Sequence, residues 1–261
     1  MESFKISICI PSYKRPEVET LDYIPFAKVY IDGEEEEDYK KSNPKGTEFV
    51  IMPEGVQGNI ARVRNYILDN EFNNGTDIVM MVDDDMKGIY YFENEKAYPL
   101  KTEDVISFVY KYSLMALDMD VHYWGVNLNS DKQNYREYTP FSFLSFVGGP
   151  LCVFVKDGGL RYDENLPLKE DYDMTLQQLN KYRKVLRVNK YYYQVRQSTN
   201  KGGCATYRSI QREKEQLKLL QKKWGSKIVK NDTNDRSHTG AIENRKFEDY
   251  NPVIKVPIKG V

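Results

Sequence analysis

Apolar and polar residues alternate with period two across residues 4–10, which predicts a strand that stops at the Pro-bounded loop 11–16. Glu34 to Glu37 read as an acidic surface loop. Residues 48–52 predict a second short strand, and Gly55 and Gly58 punctuate the turn after it. Ile60, Val63, Ile67 and Leu68 then recur at helical spacing behind Asn59, a suitable N-cap. After the turn at Asn73-Asn74-Gly75, residues 77–82 form an apolar run of buried-strand type that ends abruptly in Asp83-Asp84-Asp85.

This stretch reads strand, helix, strand, helix, strand, the mark of an α/β fold with a mixed, mostly parallel sheet flanked by helices. Further along, a helix is expected over 102–117, with Glu103 and Asp104 suiting its N-terminal dipole. Strands are expected over 123–128 and 143–155, the second interrupted by Gly148-Gly149-Pro150, then a helix over 170–182 and strands over 185–188 and 191–195. A long basic helix over 206–224 closes at Gly225. The remainder is polar and turn-rich. No repeat and no linker divides the chain, so one domain over 1–261 is expected, with halves at 1–120 and 121–230 and a packed tail at 231–261.

Composition narrows the class. With 40% hydrophobic residues, 21 Tyr and 11 Phe, the chain is not a disordered one. No apolar run of about 18 residues is present, so no membrane span is expected. The start lacks a basic-then-apolar leader, which predicts a cytoplasmic location. Cys9, Cys152 and Cys204 are far apart and exclude a disulfide scaffold or a cysteine zinc site.

The net charge of −1 conceals an asymmetry. Residues 1–178 carry a net −14, residues 179–230 a net +13, and residues 231–261 balance. In the basic segment Tyr182, Tyr191, Tyr192, Tyr193, Tyr207 and Trp224 interleave with Lys and Arg. Cations neutralise phosphates and aromatics stack on bases, so the segment suits a polyanion such as DNA. A solvated basic face, with the tyrosines packed in the sheet, explains it as well.

Asp83, Asp84 and Asp85 follow a strand, and ligands of open α/β sheets bind at that end. Adjacent carboxylates repel unless a cation neutralises them. Mg²⁺ or Mn²⁺ held by one or two carboxylates and substrate phosphates fits, with residues 83 and 85 on one side if the extended geometry persists. A solvated acidic turn is the plain alternative.

The ordered set of motifs resembles a known family. Ile8 to Pro16 is similar to the opening strand and loop of GT-A nucleotide-sugar glycosyltransferases. Gly58-Asn59-Ile60-Ala61-Arg62-Val63-Arg64-Asn65 resembles their next helix, Val82-Asp83-Asp84-Asp85 their metal-binding Asp-x-Asp, the stretch from Gly148-Gly149-Pro150 to Val155 the strand before the acceptor site, and Lys169-Glu170-Asp171 the Glu-Asp opening a helix on the acceptor side. More narrowly, the set resembles the phage and bacterial glycosyltransferases associated with TET/JBP-type base oxygenases. That group is held to glycosylate hydroxymethylated pyrimidines in DNA.

The resemblance implies roles. A nucleotide-sugar donor, UDP-linked by expectation, would meet Pro11, Ser12, Tyr13, Arg15, Arg62, Asp83, Asp84 and Gly149, with Arg64 an alternative to Arg62. Asp85 would bind the metal, Asp83 the metal or ribose, and Asp84 the base or ribose. Asp171, or alternatively Glu170, would be the general base of an inverting transfer; acids in a helix's first turn also serve its dipole. His238 would be a late metal ligand or a plain loop histidine. Lys201, Arg208 and Arg212 would meet the DNA acceptor. A surface glycan or protein as acceptor, or a DNA-binding protein with a degenerate transfer site, are the rival readings.

Overall fold

A computed structural model of the chain describes residues 4–128, 135–195, 202–231 and 250–258. Ten strands form its main sheet: β1 (Ile6–Pro11), β2 (Lys28–Asp32), β3 (Glu48–Met52), β4 (Ile78–Val82), β5 (Met86–Glu93), β6 (Lys96–Pro99), β7 (Tyr123–Asn127), β8 (Phe141–Ser142), β9 (Leu151–Val155) and β10 (Leu186–Val195). Their order is β3-β2-β1-β4-β9-β7-β10-β5-β6, with β8 beside β10. The β3-β2-β1-β4 half is parallel, and β7 pairs parallel with β10. β9 runs antiparallel between β4 and β7, and β5 and β8 oppose β10. Seven of the ten strands therefore point the same way, the mixed and mostly parallel sheet that the alternation predicts.

Alternation along the strands divides the core between two faces. Ile8, Ile10, Met80 and Val82 pack with Val105, Phe108, Val109 and Ala116 of α3 (Val105–Asp118). Cys9, Val79, Met81 and Cys152 face the other way, onto Ala61, Val63, Ile67 and Leu68 of α2 (Ile60–Asn73) and Met174 and Leu179 of α4 (Glu170–Tyr182). Asn59 caps α2, accepting from the amides of Ala61 at 3.0 Å and Arg62 at 3.3 Å. A further layer follows: α5 (Ile210–Trp224) lays Leu217 and Leu220 onto Leu176 of α4. Burying each such leucine contributes about 1.5–3 kcal/mol.

Several expectations are corrected. The acidic run is helical: α1 (Glu36–Ser42) follows a 3-10 turn, Gly33–Glu35. Asp32 caps that turn, the acids occupy the N-terminal end, and Lys40 pairs with Glu36 at 2.6 Å. The expected strand over 143–155 is only β9, because Gly148-Gly149-Pro150 stops the pairing. The two strands over 185–195 are one strand, β10, with shifts in its pairing. The basic helix begins at Ile210, where Ser209 accepts from the Arg212 amide at 3.2 Å. Strand β2 and the β5–β6 hairpin were not expected at all. Among the described residues, no helix is long and apolar enough to cross a membrane.

Candidate active site

Strands β1, β4, β7 and β10 end at one edge of the sheet, and β9, being reversed, begins there; its Leu151 pairs with Val82 of β4. This is the edge at which open α/β sheets take ligands. It gathers Ser12 to Arg15, Asp83 to Asp85, Gly148 and Gly149, and the first turn of α4.

The three aspartates do not continue the strand. Asp83 follows it, with its amide on Pro150 O at 3.1 Å, and Asp84 and Asp85 lie in a turn leading to β5. Thr20, fully buried, fixes that turn. Its hydroxyl donates to Asp83 O at 2.6 Å and accepts from the Met86 amide at 2.9 Å, while its amide donates to Asp84 O at 3.2 Å.

The carboxylates therefore diverge. Asp83 Oδ1 meets Arg64 Nη2 at 3.2 Å. Asp84 turns inward, where Ser12 Oγ donates to Oδ2 at 2.7 Å and Arg15 Nη1 to Oδ1 at 2.8 Å. Asp85 lies beside Arg15 at 3.5 Å. Burial, then the charges of Asp83 and Asp84, push the Asp85 carboxyl up to about 7.

Asp84 and Ser12 are thus partners of each other, and Ser12 Oγ also lies 2.9 Å from the Tyr39 hydroxyl. They hold the loop. Asp84 and Ser12, both expected to meet the nucleotide, thus lie in this network at the sheet edge. Pro11 closes β1. Tyr13 keeps a partly exposed ring, with Lys14 Nζ 4.9 Å from its centre. Its carbonyl accepts from Gly203 N at 2.7 Å, so residues 202 onward clasp this loop.

Opposite stands the first turn of α4. Asp171 Oδ2 accepts from Gly149 N at 3.2 Å, and Oδ1 from Tyr172 N at 2.8 Å. Burial raises the Asp171 carboxyl, opposed chiefly by Arg64 and the Gly149 amide. Burial and the neighbouring Asp171 push Glu170 up to about 8.

Arg64 lies between the two groups of acids. Only 3% of its side chain is exposed, and its Nε has no hydrogen-bond partner among the described residues. Gly149 makes room for it: a Cβ there would sit 2.9 Å from Arg64 Nη2. Arg62, the expected contact, points away, to Glu164 at 3.0 Å and to Gly55 O. The reason is helical register, since residue 64 shares the buried face of α2 with Ile67.

Two tyrosines that the sequence placed only among the aromatics of the basic segment also reach the edge. The Tyr193 hydroxyl would lie 2.9 Å from a Cβ on Gly148. Burial, then Asp83 and Asp171, push its phenol up, which keeps it a proton donor. Tyr207 accepts from the Ile60 amide at 3.3 Å and donates to Cys204 Sγ at 3.1 Å. Tyr191 and Tyr192 pack in the sheet, against Phe108 at 4.7 Å and Phe92 at 4.9 Å between ring centres.

The donor chemistry fits a hard cation. Asp85, and Asp83 on the oxygen that does not meet Arg64, offer carboxylate ligands, and burial, then the charges of Asp83 and Asp84, raise the Asp85 carboxyl despite Arg15. The described residues hold no group of three candidate ligands, so phosphate oxygens and water would complete the sphere, as Mg²⁺ and Mn²⁺ usually require. His238 and Lys201 lie outside the described residues. Arg208 binds Glu213 at 2.5 Å, and Arg212 lies over the Tyr207 ring at 5.5 Å on the exposed side of α5.

The profile of the TET-Associated Glycosyltransferase family matches residues 6–203, a span that contains the donor loop, Asp83 to Asp85, Gly148 and Gly149 and the first turn of α4. The chain belongs to the TET-associated glycosyltransferase family. A comparison with curated proteins returned no match. Among solved structures, this TET-associated glycosyltransferase is similar to TarS 1-349 of S. aureus, at 14% identity and a TM-score of 0.44, over 72% of this chain and 60% of that one. It thus spans less than two thirds of that protein. It is also similar to glucosyl-3-phosphoglycerate synthase of Mycobacterium tuberculosis, solved with Mn²⁺, UDP and glucosyl-3-phosphoglycerate, at 12% identity and a TM-score of 0.46, over 75% of this chain and 73% of that one. Helix α5 lies beyond the matched family span.

Proposed function

We propose that this glycosyltransferase moves a sugar from a UDP-sugar to the hydroxyl of a 5-hydroxymethylpyrimidine in DNA, with inversion and with Mn²⁺ or Mg²⁺ bound. The observation that carries the reading is the meeting, at one sheet edge, of Asp83 and Asp85 with Asp171 across the buried Arg64.

Each residue then has a task. Asp85 and Asp83 would hold the cation, which supplies Lewis-acid stabilisation to the departing diphosphate. Tyr13 stacks on the uracil, and Arg15 holds the loop. Asp171 takes the proton of the acceptor hydroxyl as its oxygen bonds to the sugar's anomeric carbon and the bond from that carbon to the diphosphate breaks. Two backbone amides, Arg64 and Lys169 favour the ionised Asp171, whereas Glu170, buried beside it, keeps its proton. The contact of Asp171 Oδ2 with the Gly149 amide at the sheet edge supports Asp171, rather than Glu170, as the base.

The acceptor assignment draws on the family's name and on the exposed cations Arg212, Lys218, Lys222, Lys227 and Lys230. The test is mass spectrometry of nucleosides after hydroxymethylated DNA is incubated with a panel of UDP-sugars and Mn²⁺. The expected result is a hexose- or pentose-sized gain on the modified pyrimidine, absent with Asp85→Ala. Binding to DNA should also weaken steeply with salt, the slope falling for Lys218→Glu with Lys222→Glu. Transfer to a glycan or protein and none to DNA would overturn the acceptor assignment. DNA binding without turnover would overturn the enzymatic one.

A further inference from the structure

Three charged side chains meet behind the site in a place that its chemistry does not use. Glu213 of α5 is fully buried, and its two oxygens are taken by Lys169 Nζ and Arg208 Nε, each at 2.5 Å. Lys169 is buried too, at 1% exposure, and also reaches Asn251 Oδ1 at 3.4 Å. A buried ion pair adds little stability over an apolar pair of the same volume, because desolvation offsets the attraction. What such a group supplies is a fixed position.

The position it fixes is that of α4. Lys169 is the residue before Glu170 and Asp171, and its carbonyl accepts the Asp173 amide at 3.0 Å, within the helix's first turn. No side chain caps α4. Its start is held instead by the Lys169 side chain, drawn into Glu213. The stretch that carries Arg208 and Glu213 also grips the donor loop, through Gly203 N on Tyr13 O at 2.7 Å and Arg15 Nη2 on Gly202 O at 3.4 Å. Residues 202–213 therefore form one strut that touches both sides of the active-site edge. Positions 208 and 213 lie beyond the matched family span.

We infer that Glu213 and Arg208 are positioning residues for sugar transfer, acting through buried Lys169 to hold the first turn of α4 so that Asp171 faces the site. The inference rests on Asp171 being the base. It also accounts for an oddity of composition: Glu213 is one of only two acids in the basic segment 179–230, and it faces inward.

The test compares Glu213→Gln, Arg208→Gln, Arg208→Lys, Leu217→Ala and Asp171→Asn in the full chain. It reads kcat and donor KM for UDP-sugar turnover, to acceptor or to water, and the melting temperature. Expected is a fall in kcat of about tenfold or more for Glu213→Gln with donor KM within about twofold, a loss confined to the transition state. Arg208→Gln should fall less, and Arg208→Lys should recover part of it. Leu217→Ala, which loosens the same helix pair without touching a charge, should lower the melting temperature and spare kcat. A crystal structure of Glu213→Gln should show Asp171 Oδ2 displaced from Gly149 N. Should Glu213→Gln fail to fold, the variants at Arg208, whose side chain is partly exposed, carry the test. Wild-type kcat in Glu213→Gln or Arg208→Gln while Asp171→Asn is inactive overturns the positioning role alone, as does an equal loss of kcat in Leu217→Ala. Wild-type turnover in Asp171→Asn overturns the base assignment and the inference with it.

Discussion

Arg64 of α2 and Asp83 at the end of β4 meet at 3.2 Å, and the same guanidinium lies against Gly149, whose amide holds Asp171. One buried cation thus stands between the donor-side and acceptor-side acids.

Removing that cation should be costly. Arg64→Met leaves Asp83, Asp171 and Glu170 without their shared counter-charge, and breaking a buried pair costs about 3–5 kcal/mol. Urea unfolding should report a loss of that order, with donor turnover abolished. Arg64→Lys keeps the charge but not the planar fork, so it should recover more stability than turnover.

Asp84 and Asp85 should separate by function. Asp85→Asn is expected to remove Mn²⁺ binding in calorimetry while the fold stays intact. Asp84→Asn weakens the Ser12 and Arg15 contacts instead, costs about 1–3 kcal/mol, and leaves Mn²⁺ binding measurable. Proton and metal compete for Asp85, which titrates at about 7, so wild-type Mn²⁺ affinity should rise about tenfold between pH 6 and pH 8.

Glu170 makes stability depend on pH. Its carboxyl is raised to about 8 by burial and by Asp171, so the folded state holds a proton that the unfolded chain releases near the ordinary carboxylate value. Its contribution is therefore complete below the unfolded value and is lost as pH rises towards 8. Glu170→Gln should lose this dependence. Denaturant unfolding at pH 5.5 and 8 should show the variant gaining on the wild type at the higher pH.

Gly202 takes a φ of +102°, and a Cβ there would lie 2.5 Å from Lys14 O. Gly202→Ala meets both strain and backbone, and neither yields cheaply. The clasp on the donor loop should open, seen as faster proteolysis near residue 202 and a raised donor KM.

Much of this was legible in residue order. The apolar runs of β1 and β4, the Asn59 cap and the acids opening α4 each follow from local pattern, and they locate the site edge. Arg64 was legible too: it sits four residues after Ile60 and three before Ile67, on the buried face, whereas Arg62 does not. The β5–β6 hairpin was hidden because Asp83 to Asp85 look like the end of a strand rather than a turn between two. Thr20 and Glu213 were hidden for another reason. Each acts on a partner more than 40 residues away, to Asp83 and to Lys169, and no local period records such a pairing.

The reversal of β9 has a consequence for change over time. A chain leaving β7 at Asn127 and entering β9 at Leu151 starts and finishes at the same rim, so both anchors of that connection flank the reactive groups. Within it only β8 is fixed by pairing, to β10, so a change of length outside β8 alters loop-closure entropy only slowly and leaves the strand pairings in place. One wall of this edge can therefore be rewritten by evolution while the Asp83 to Asp85 turn and the start of α4 stay as they are.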